Sequence, residues 1–233
     1  MARNVIALLM LVSLGLLIGG HQAAAQETSC TPFNGKNLDG WKLKKHGRNQ
    51  SQWKVGEVAL NPKNPREFEF QGTKKGVLVN TKGRGVDIYT EEKFGDCTIE
   101  LEVMVPKGSN SGIYVMGEYE VQILDSWGRK KVGPGDIGGL YGAAAPKINA
   151  AKEPGEWQKF VIEFQAPKFE NGKRVSKAKF LKIVLNGKVI HENVEMRGPT
   201  PSGVTGREAP TGPLMFQGDH GPVAYRNIRI TMK

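Results

Sequence analysis

Apolar and polar residues alternate over short stretches along most of the chain, which predicts β-strands rather than helices. The alternation is clearest at residues 97–105. Side chains two positions apart in a strand share a face, so one face of this strand is entirely apolar and points to the core. That face carries Cys97, Ile99, Leu101, Val103 and Val105.

Residues 108–125, GSNSGIYVMGEYEVQILD, read as one long strand with an unusual polar face. One face is apolar and made of Ile113, Val115, Tyr119, Val121 and Ile123. The other has two carboxylates and an amide, and is made of Tyr114, Met116, Glu118, Glu120 and Gln122. An ordinary solvent-facing strand surface is the alternative, and the pattern alone favours it because exposed sheet faces are usually polar. A functional site on this strand therefore needs support from elsewhere in the chain.

Short strands separated by Gly- and Pro-rich turns continue to the end of the chain. Asn186-Gly187 between two apolar runs predicts a two-residue hairpin. No segment has a sustained helical period and no repeat is evident. The further strands predicted are residues 53–55, 67–70, 77–79, 87–89, 157–165, 180–185, 188–191, 214–217 and 223–232. This pattern predicts an all-β sandwich of two antiparallel sheets, of the lectin-like jelly-roll kind.

Two long segments break the strand pattern, one between Asp125 and Trp157 and the other at residues 196–212. Loops of this length inside a compact domain are usually functional or mobile. Tyr141 and Lys147 lie in the first loop, and we expect them to cover a site as a lid.

The first 25 residues have the pattern of a secretory signal peptide. An apolar stretch at residues 5–18 leads to small residues at Ala23 and Ala25, so cleavage is expected after Ala25. An uncleaved anchor is the alternative, but the stretch is short for a membrane span. We expect a secreted or periplasmic protein with no stable membrane span after cleavage. Residues 26–233 then form a single domain.

The chain is basic, with a formal net charge of +10 that falls to +9 when residues 1–25, with their one arginine, are removed. Basic proteins bind nucleic acids, anionic polysaccharides or envelope surfaces. Here the Lys and Arg residues are spread through turns and are not interleaved with stacking aromatics. We therefore expect no nucleic-acid partner.

Two cysteines, Cys30 and Cys97, remain after signal cleavage. In an oxidising compartment they are candidates for one disulfide, with a typical stabilisation of ~2–4 kcal/mol. Two isolated cysteines without a nearby histidine do not indicate a zinc site.

The strongest candidate for chemistry outside the polar strand is His220, in the tight turn Gln217-Gly-Asp-His-Gly-Pro222. A histidine there suits proton transfer or metal ligation, although an exposed turn residue is equally consistent with the pattern. His46 and His191 have structural or merely exposed positions. Asp125 ends the polar strand and caps the following loop in the simpler interpretation, and Arg226 is an ordinary strand arginine unless it reaches the same face. The motifs of common hydrolases and nucleotide-binding proteins are absent.

Six blocks of the sequence occur together in one family. They are FNGKNLDGW, SNSGIYVMGEYEVQILDSWG, GGLYGAAAP, EWQKFVIEF, LNGKVI and GPLMFQGDHGPVAYRNIRI. Together they resemble the 3-keto-disaccharide hydrolase domain family, over residues 33–230. The resemblance implies a concanavalin A-like β-sandwich, in agreement with the strand pattern.

The resemblance implies cleavage of glycosides whose sugar carries a ketone at C3, by hydrolysis or by elimination and hydration. The matching positions are Glu120 and His220 as acid/base residues, with Gln122, Asp125 and Arg226 binding substrate; Tyr141 and Lys147 would add to the binding site from the loop. A divalent metal is a further expectation, held by His220 and Glu120. The partner is a small carbohydrate, and the oligomeric state is left open. A non-catalytic carbohydrate-binding module of the cell envelope is the competing hypothesis, since one fold hosts several functions.

Overall fold

The computed structural model describes residues 28–44 and 47–233, and the signal peptide expected at residues 1–25 lies outside them. Within these ranges every regular element is a β-strand. None of the described residues belongs to a helix long and apolar enough to span a membrane.

Fifteen strands occur in the described residues. The first eight are β1 (Thr28–Cys30), β2 (Trp41–Lys44), β3 (Trp53–Leu60), β4 (Phe68–Asn80), β5 (Asp87–Thr90), β6 (Cys97–Met104), β7 (Asn110–Val115) and β8 (Tyr119–Leu124). The remaining strands are β9 (Gln158–Gln165), β10 (Lys168–Glu170), β11 (Lys173–Ser176), β12 (Lys179–Leu185), β13 (Lys188–Glu195), β14 (Met215–Phe216) and β15 (Val223–Met232).

The strands form two main sheets. The larger has eight strands in the order β13-β12-β9-β6-β15-β4-β3, with β1 also paired to β15. The smaller has five strands in the order β2-β5-β14-β7-β8, and β10 and β11 form a separate hairpin. Every strand pair is antiparallel. The predicted all-β sandwich of the concanavalin A-like kind is therefore confirmed.

Aromatic side chains join the two sheets in the core. The ring of Tyr225, on β15, stacks on that of Phe216, on β14, with centroids 3.8 Å apart. Trp41 lies against the same Phe216 ring at 5.5 Å, and Tyr119 contacts Phe164 at 5.6 Å. The apolar faces predicted for residues 97–105 and 113–123 are both buried in this core. Burial of these faces is what orients the polar faces of the same strands outward.

The prediction of one long strand at residues 108–125 was wrong, because the chain turns back at Met116-Gly117. Both residues have positive φ, 54° and 69°, as in the tight turns that join hairpin strands. Tyr114 lies opposite Glu120 and Gly112 opposite Gln122. Directly opposed residues lie on the same side of an antiparallel pair, so the polar face predicted from the sequence survives the turn.

Other strand predictions were right in place but not always in extent. The hairpin at Asn186-Gly187 is confirmed, with φ values of 51° and 79°. The fragments predicted at 67–70 and 77–79 belong to the single strand β4, whose register with β3 shifts along its length. Strands β1, β2, β10 and β11 were not predicted because they are short and carry polar or charged residues.

The disulfide expected between Cys30 and Cys97 is not present, and both are free thiols. Cys30 lies opposite Ile230 and Cys97 opposite Met232, so β15 runs between the two strands that carry them. Strands on either side of a third are about 9.5 Å apart, beyond the ~7 Å that a disulfide spans.

Candidate functional site

A polar pocket of about 170 Å³ lies on the face of the five-stranded sheet that points away from the core. Strands β7 and β8 form its floor, and loops from later in the chain form its walls. Its lining residues are Asn110, Tyr114, Glu120, Gln122, Tyr141, Pro201, Ser202, Gln217 and His220. The polar strand and the His220 turn, which are far apart in sequence, therefore meet at one place.

Glu120 is the buried carboxyl group of this pocket, with only 4% of the residue exposed. Burial is the main cause that raises its pKa, to about 7. The neighbouring hydroxyl of Tyr114 and the charge of His220 act in the opposite direction, while the nearby carboxylates Asp219 and Asp87 add to the increase. Near neutral pH, Glu120 is therefore able both to accept and to release a proton.

Gly112 provides the space that Glu120 occupies. A Cβ atom at this position would lie 2.4 Å from Oε1 of Glu120 and 3.0 Å from Cε2 of Tyr114. Contacts that short are not tolerated between non-bonded atoms, so a side chain at Gly112 would displace the carboxyl group or the ring.

Tyr114 lies beside Glu120 with its ring buried. Its hydroxyl donates a hydrogen bond to the carbonyl oxygen of Pro201, at 3.1 Å. Burial, assisted by the neighbouring Glu120, raises the pKa of Tyr114, so the phenol keeps its proton. The pocket thus contains a fixed hydroxyl next to its acidic group.

Two amide side chains continue the floor beyond Glu120. Nε2 of Gln122 donates to Oδ1 of Asn110 at 2.7 Å. The backbone of Gln122 bonds to Gly138 and Gly139, which run alongside β8. The amides are therefore held in place, and both also line the open pocket.

His220 enters from a turn that is fixed by buried polar side chains. Nδ2 of Asn80 donates to the carbonyl oxygens of Gly218 and Gly221, at 2.9 and 3.0 Å. Oδ1 of Asp87 accepts from the amide of Gly218 at 3.0 Å. The His220 side chain itself is about half exposed, and its Nδ1 lies 2.5 Å from Oδ1 of Asp219. In the neutral imidazole, Nδ1 donates its N–H to this carboxylate. Nε2 then has no hydrogen and is the nitrogen that accepts a hydrogen bond or a proton.

Residues 200–206 form the wall that separates the pocket from the rest of the sheet face. Oγ1 of Thr200 accepts the backbone N–H of Glu120 at 3.1 Å. The buried carboxylate of Glu118 anchors the segment by accepting the N–H and hydroxyl of Thr205, each at 2.8 Å, and the N–H of Gly206 at 3.0 Å. Glu118 therefore holds the wall and does not line the pocket.

Of the seven site residues predicted from the sequence, the structure brings four together: Glu120, Gln122, Tyr141 and His220. Asp125 does not line the pocket, because its carboxylate accepts the N–H groups of Gly108 and Trp127 and so caps a turn. Lys147 does not line it either, since its ammonium group pairs with Glu192 at the surface. Of the two loop residues expected to cover the site, the structure therefore places Tyr141 at the pocket and Lys147 away from it.

Arg226 is also outside the pocket. Its neighbour Tyr225 points into the core, so Arg226 points to the opposite face of the larger sheet. There its Nε donates to Glu102 at 2.6 Å, and its guanidinium lies 4.0 Å from the ring centroid of Trp157. The simpler interpretation of Arg226 as an ordinary strand residue is the one that the structure supports.

The loop between β8 and β9 is packed against the protein near the site. Tyr141 donates its N–H to the carbonyl oxygen of Glu120, while Ile137 and Leu140 are buried. His191 is buried too, and its Nε2 lies 2.8 Å from the oxygen of Gly138, which agrees with its predicted structural role. The side chain of Tyr141 is 47% exposed and lines the pocket.

Sequence reasoning missed several pocket residues. Asn110 and Gln217 lie inside the blocks that carry the family resemblance, and Tyr114 lies on the predicted polar face, so a signal for these three existed. Pro201 and Ser202 had no such signal, because nothing in a Pro- and Gly-rich loop indicates which strand it crosses.

The divalent metal expected from the resemblance was tested against the available donors. Among residues 28–44 and 47–233, no three or more His, Cys, Asp or Glu side chains are grouped so as to hold an ion. Zinc sites normally supply at least three such ligands. The donor set does not fit a site of this kind, and the residues of the pocket are therefore considered for the chemistry that their own side chains supply.

Known proteins resemble this chain in sequence and in structure. A 3-keto-disaccharide hydrolase of Bacteroides thetaiotaomicron is 30% identical over 104 residues, which are 45% of this chain and 32% of that protein. The chain thus matches about a third of the length of that relative. A crystal structure from Parabacteroides distasonis ATCC 8503, described as a candidate glycosyl hydrolase, is 28% identical with a TM-score of 0.65, over 88% of this chain and 84% of that one.

A second crystal structure from the same organism, also described as a candidate glycosyl hydrolase, shares the fold. It is 18% identical with a TM-score of 0.59, and the match covers 88% of this chain and 94% of that one. The model of the 3-keto-alpha-glucoside-1,2-lyase-like domain family matches residues 30–231. This match includes all nine residues of the pocket, and the chain belongs to that family.

Proposed function

We propose that this protein is a carbohydrate-active enzyme that cleaves glycosides whose sugar ring carries a ketone at C3. The observation that supports the proposal most is the meeting of a buried acid, Glu120, and a turn histidine, His220, in one polar pocket. Membership of the family and the similarity to a named 3-keto-disaccharide hydrolase support the proposed substrate class.

A ketone at C3 makes the proton on C2 acidic, so a base removes it and an enediolate forms. The electron pair then forms the C1–C2 double bond as the substituent on C1 leaves, and water adds to the unsaturated sugar afterwards. This sequence needs a base near C2, a proton donor for the departing oxygen and donors for the enolate oxygen.

His220 is suited to the role of base. With Nδ1 directed to Asp219, its Nε2 is the nitrogen that accepts a proton. The Asp219 carboxylate then stabilises the imidazolium that results. The hydrogen bonds from Asn80 fix the turn that carries both residues, so the base is positioned before the substrate binds.

Glu120 is suited to the role of acid. Its raised pKa, about 7, keeps a substantial protonated fraction at neutral pH, and a protonated carboxyl group donates to the oxygen that leaves C1. Two titratable groups with different environments are the usual basis for assigning acid and base roles.

The remaining polar groups recognise the sugar. Asn110, Gln122 and Gln217 place amides around the pocket, and Tyr114 adds a hydroxyl. Such groups bind sugar hydroxyls and stabilise an enolate oxygen. At about 170 Å³ the pocket is smaller than the ~300–1,000 Å³ of sites for drug-sized ligands, so we propose that it holds the oxidised ring and leaves the aglycone outside.

The test compares two substrates that differ only at C3: p-nitrophenyl 3-keto-glucoside and p-nitrophenyl glucoside, each as both anomers. The proposal expects release of nitrophenol from the keto sugar alone, because only the ketone activates C2. Equal cleavage of both would indicate an ordinary glycosidase, and binding without cleavage would indicate a carbohydrate-binding module.

The same assay with and without EDTA examines the metal. The side-chain mechanism expects unchanged rates after chelation. Activity that is lost on chelation and restored by a divalent ion would show that a metal ion is needed for catalysis, in addition to the side chains named above.

A further inference from the structure

A second cavity, of about 340 Å³, lies beyond residues 200–206 and has twice the volume of the pocket that contains Glu120. It opens between the β7–β8 turn, the ends of β2 and β5, and residues 204–213. Its lining residues include Tyr89, Met116, Val204 and Ala209 together with the cationic side chains of Lys93 and Arg207. The mechanism proposed above uses none of them.

The cavity is built from closely packed backbone. A Cβ atom at Gly212 would lie 2.1 Å from the oxygen of Met116, and one at Gly203 would lie 2.2 Å from Oε2 of Glu118. Gly212 and Phe94 exchange two backbone hydrogen bonds, at 2.8 and 3.0 Å. The walls therefore cannot collapse inward without breaking these contacts, and the space is preformed, as binding pockets usually are.

Met116, which lines the cavity, has an unusual backbone conformation. Its φ is 54°, in the left-handed region that Gly, Asn and Asp normally occupy in hairpin turns. The residue is nevertheless 4% exposed. An uncommon backbone conformation at a cavity wall is a feature that functional sites often show.

The charges around the opening favour an anion. Lys93 and Arg207 form no ion pair with any carboxylate among the described residues, whereas Lys42 pairs with Glu91 at 3.1 Å. Two carboxylates also line the cavity, Glu91 and Glu118, so the lining has three cationic side chains against two anionic ones. Glu118 accepts three hydrogen bonds, from Thr205 and Gly206. Nearby, Glu208 accepts a hydrogen bond from Tyr119 and pairs with Arg174. Two cations are thus available at the opening.

The interior of the cavity is mainly apolar. Tyr89 and Met116 lie on the sheet side, and Val204, Ala209 and Pro213 lie on the loop side. An apolar interior with a few charged groups at its edge suits a ligand with a flat apolar body and one anionic group, and a guanidinium is well matched to a carboxylate.

We infer that this cavity is a second ligand site, separate from the Glu120 pocket, that binds a small aromatic carboxylate. The ring lies between Tyr89 and Val204, and the carboxylate is bound by Arg207 and Lys93. The inference does not depend on the proposed function, because binding requires no turnover.

The test is calorimetric titration of the purified protein with 4-hydroxycinnamate, with its neutral amide 4-hydroxycinnamamide and with D-glucuronate. The inference expects one molecule of 4-hydroxycinnamate per chain, bound at least tenfold more tightly than the amide and than glucuronate. Binding should weaken as the salt concentration rises.

Variants locate the site. Lys93→Ala with Arg207→Ala should weaken binding at least tenfold, and Ala209→Trp, which fills the cavity from its exposed edge, should abolish it. Lys130→Ala with Lys131→Ala removes the same charge from a turn that lines neither cavity, and should leave binding unchanged.

Three results would overturn the inference: no binding of 4-hydroxycinnamate at millimolar concentration, equal binding of the amide, or equal loss in the two double variants. Turnover of the 3-keto-glucoside is measured separately on the same preparations, so failure here leaves the proposed reaction untouched.

Discussion

Tyr114 and Glu120 lie directly opposite each other on β7 and β8, so the phenol and the carboxyl group share one side of the hairpin. The hydroxyl of Tyr114 donates a hydrogen bond to the carbonyl oxygen of Pro201, and the closeness of this hydroxyl to Glu120 lowers the pKa that burial has raised. The pKa of Glu120 therefore depends on two opposing effects: burial raises it, and the neighbouring hydroxyl lowers it.

The Glu120→Gln substitution should reduce turnover of a 3-keto-glucoside to near background, because the amide cannot supply a proton to the leaving oxygen. His220→Ala should do the same through loss of the base. Steady-state rates of both purified variants check this, with circular dichroism to show that they are folded. Near-normal rates in either variant would eliminate the role assigned to that residue.

Glu120 should also make stability depend on pH. Its pKa is raised from 4.5 to about 7 on folding, so the folded state holds a proton that the unfolded state loses, and stability falls as pH rises from about 4.5 to 7. The change is roughly 3 kcal/mol. The Glu120→Gln variant should not lose this stability, because its amide does not titrate. The thermal midpoint of the variant minus that of the native protein should therefore be larger at pH 8 than at pH 4.5. An identical difference at both pH values would contradict the prediction.

The pH profile of turnover should fall on its alkaline side near pH 7, because Glu120 acts in its protonated form. Tyr114→Phe removes the neighbouring hydroxyl that lowers the pKa of Glu120, so it should move this limb to higher pH. Rates measured from pH 5 to 9 with both proteins check the direction. A limb that moves to lower pH, or not at all, would show that Tyr114 does not act on Glu120 in this way.

Gly112→Ala should lower turnover at least tenfold, since the new Cβ atom would meet Oε1 of Glu120 at 2.4 Å. The matched control is Gly135→Ala, where nothing lies within 4 Å of the added atom. That variant should retain its rate. Equal behaviour of the two would mean that the position of the carboxyl group is unimportant.

Arg226→Ala should keep nearly all activity, because Arg226 lies on the far face of the larger sheet with Glu102 and Trp157. A stability loss of up to about 1 kcal/mol is expected from the broken, partly exposed ion pair. Kinetics and thermal unfolding of the same sample separate the two effects. A large fall in rate without a change in stability would show that Arg226 takes part in catalysis or substrate binding.

The fold class and four of the nine pocket residues could be predicted from the sequence. The alternation of apolar and polar residues identified the inward faces of β6 and of the β7–β8 hairpin. This signal is direct, because every second side chain of a strand that is buried on one face has to be apolar. The turn at Met116-Gly117 was missed because methionine rarely adopts positive φ and because the alternation of the side chains continues across the turn. Arg226 and Lys147 were misplaced because closeness in sequence to a motif does not fix which side of a strand, or which part of a loop, faces the pocket.

Within residues 28–44 and 47–233, no strand pairs with β8 on its outer side, but this edge is not open. Residues 138–141 exchange backbone hydrogen bonds with Glu120 and Gln122 along that edge. Unpaired strand edges are where sheets of separate molecules join and aggregate. The same backbone bonds that fix the pocket floor therefore also block this edge, so a change that loosens residues 138–141 would expose the protein to edge-to-edge association as well as disturb the site.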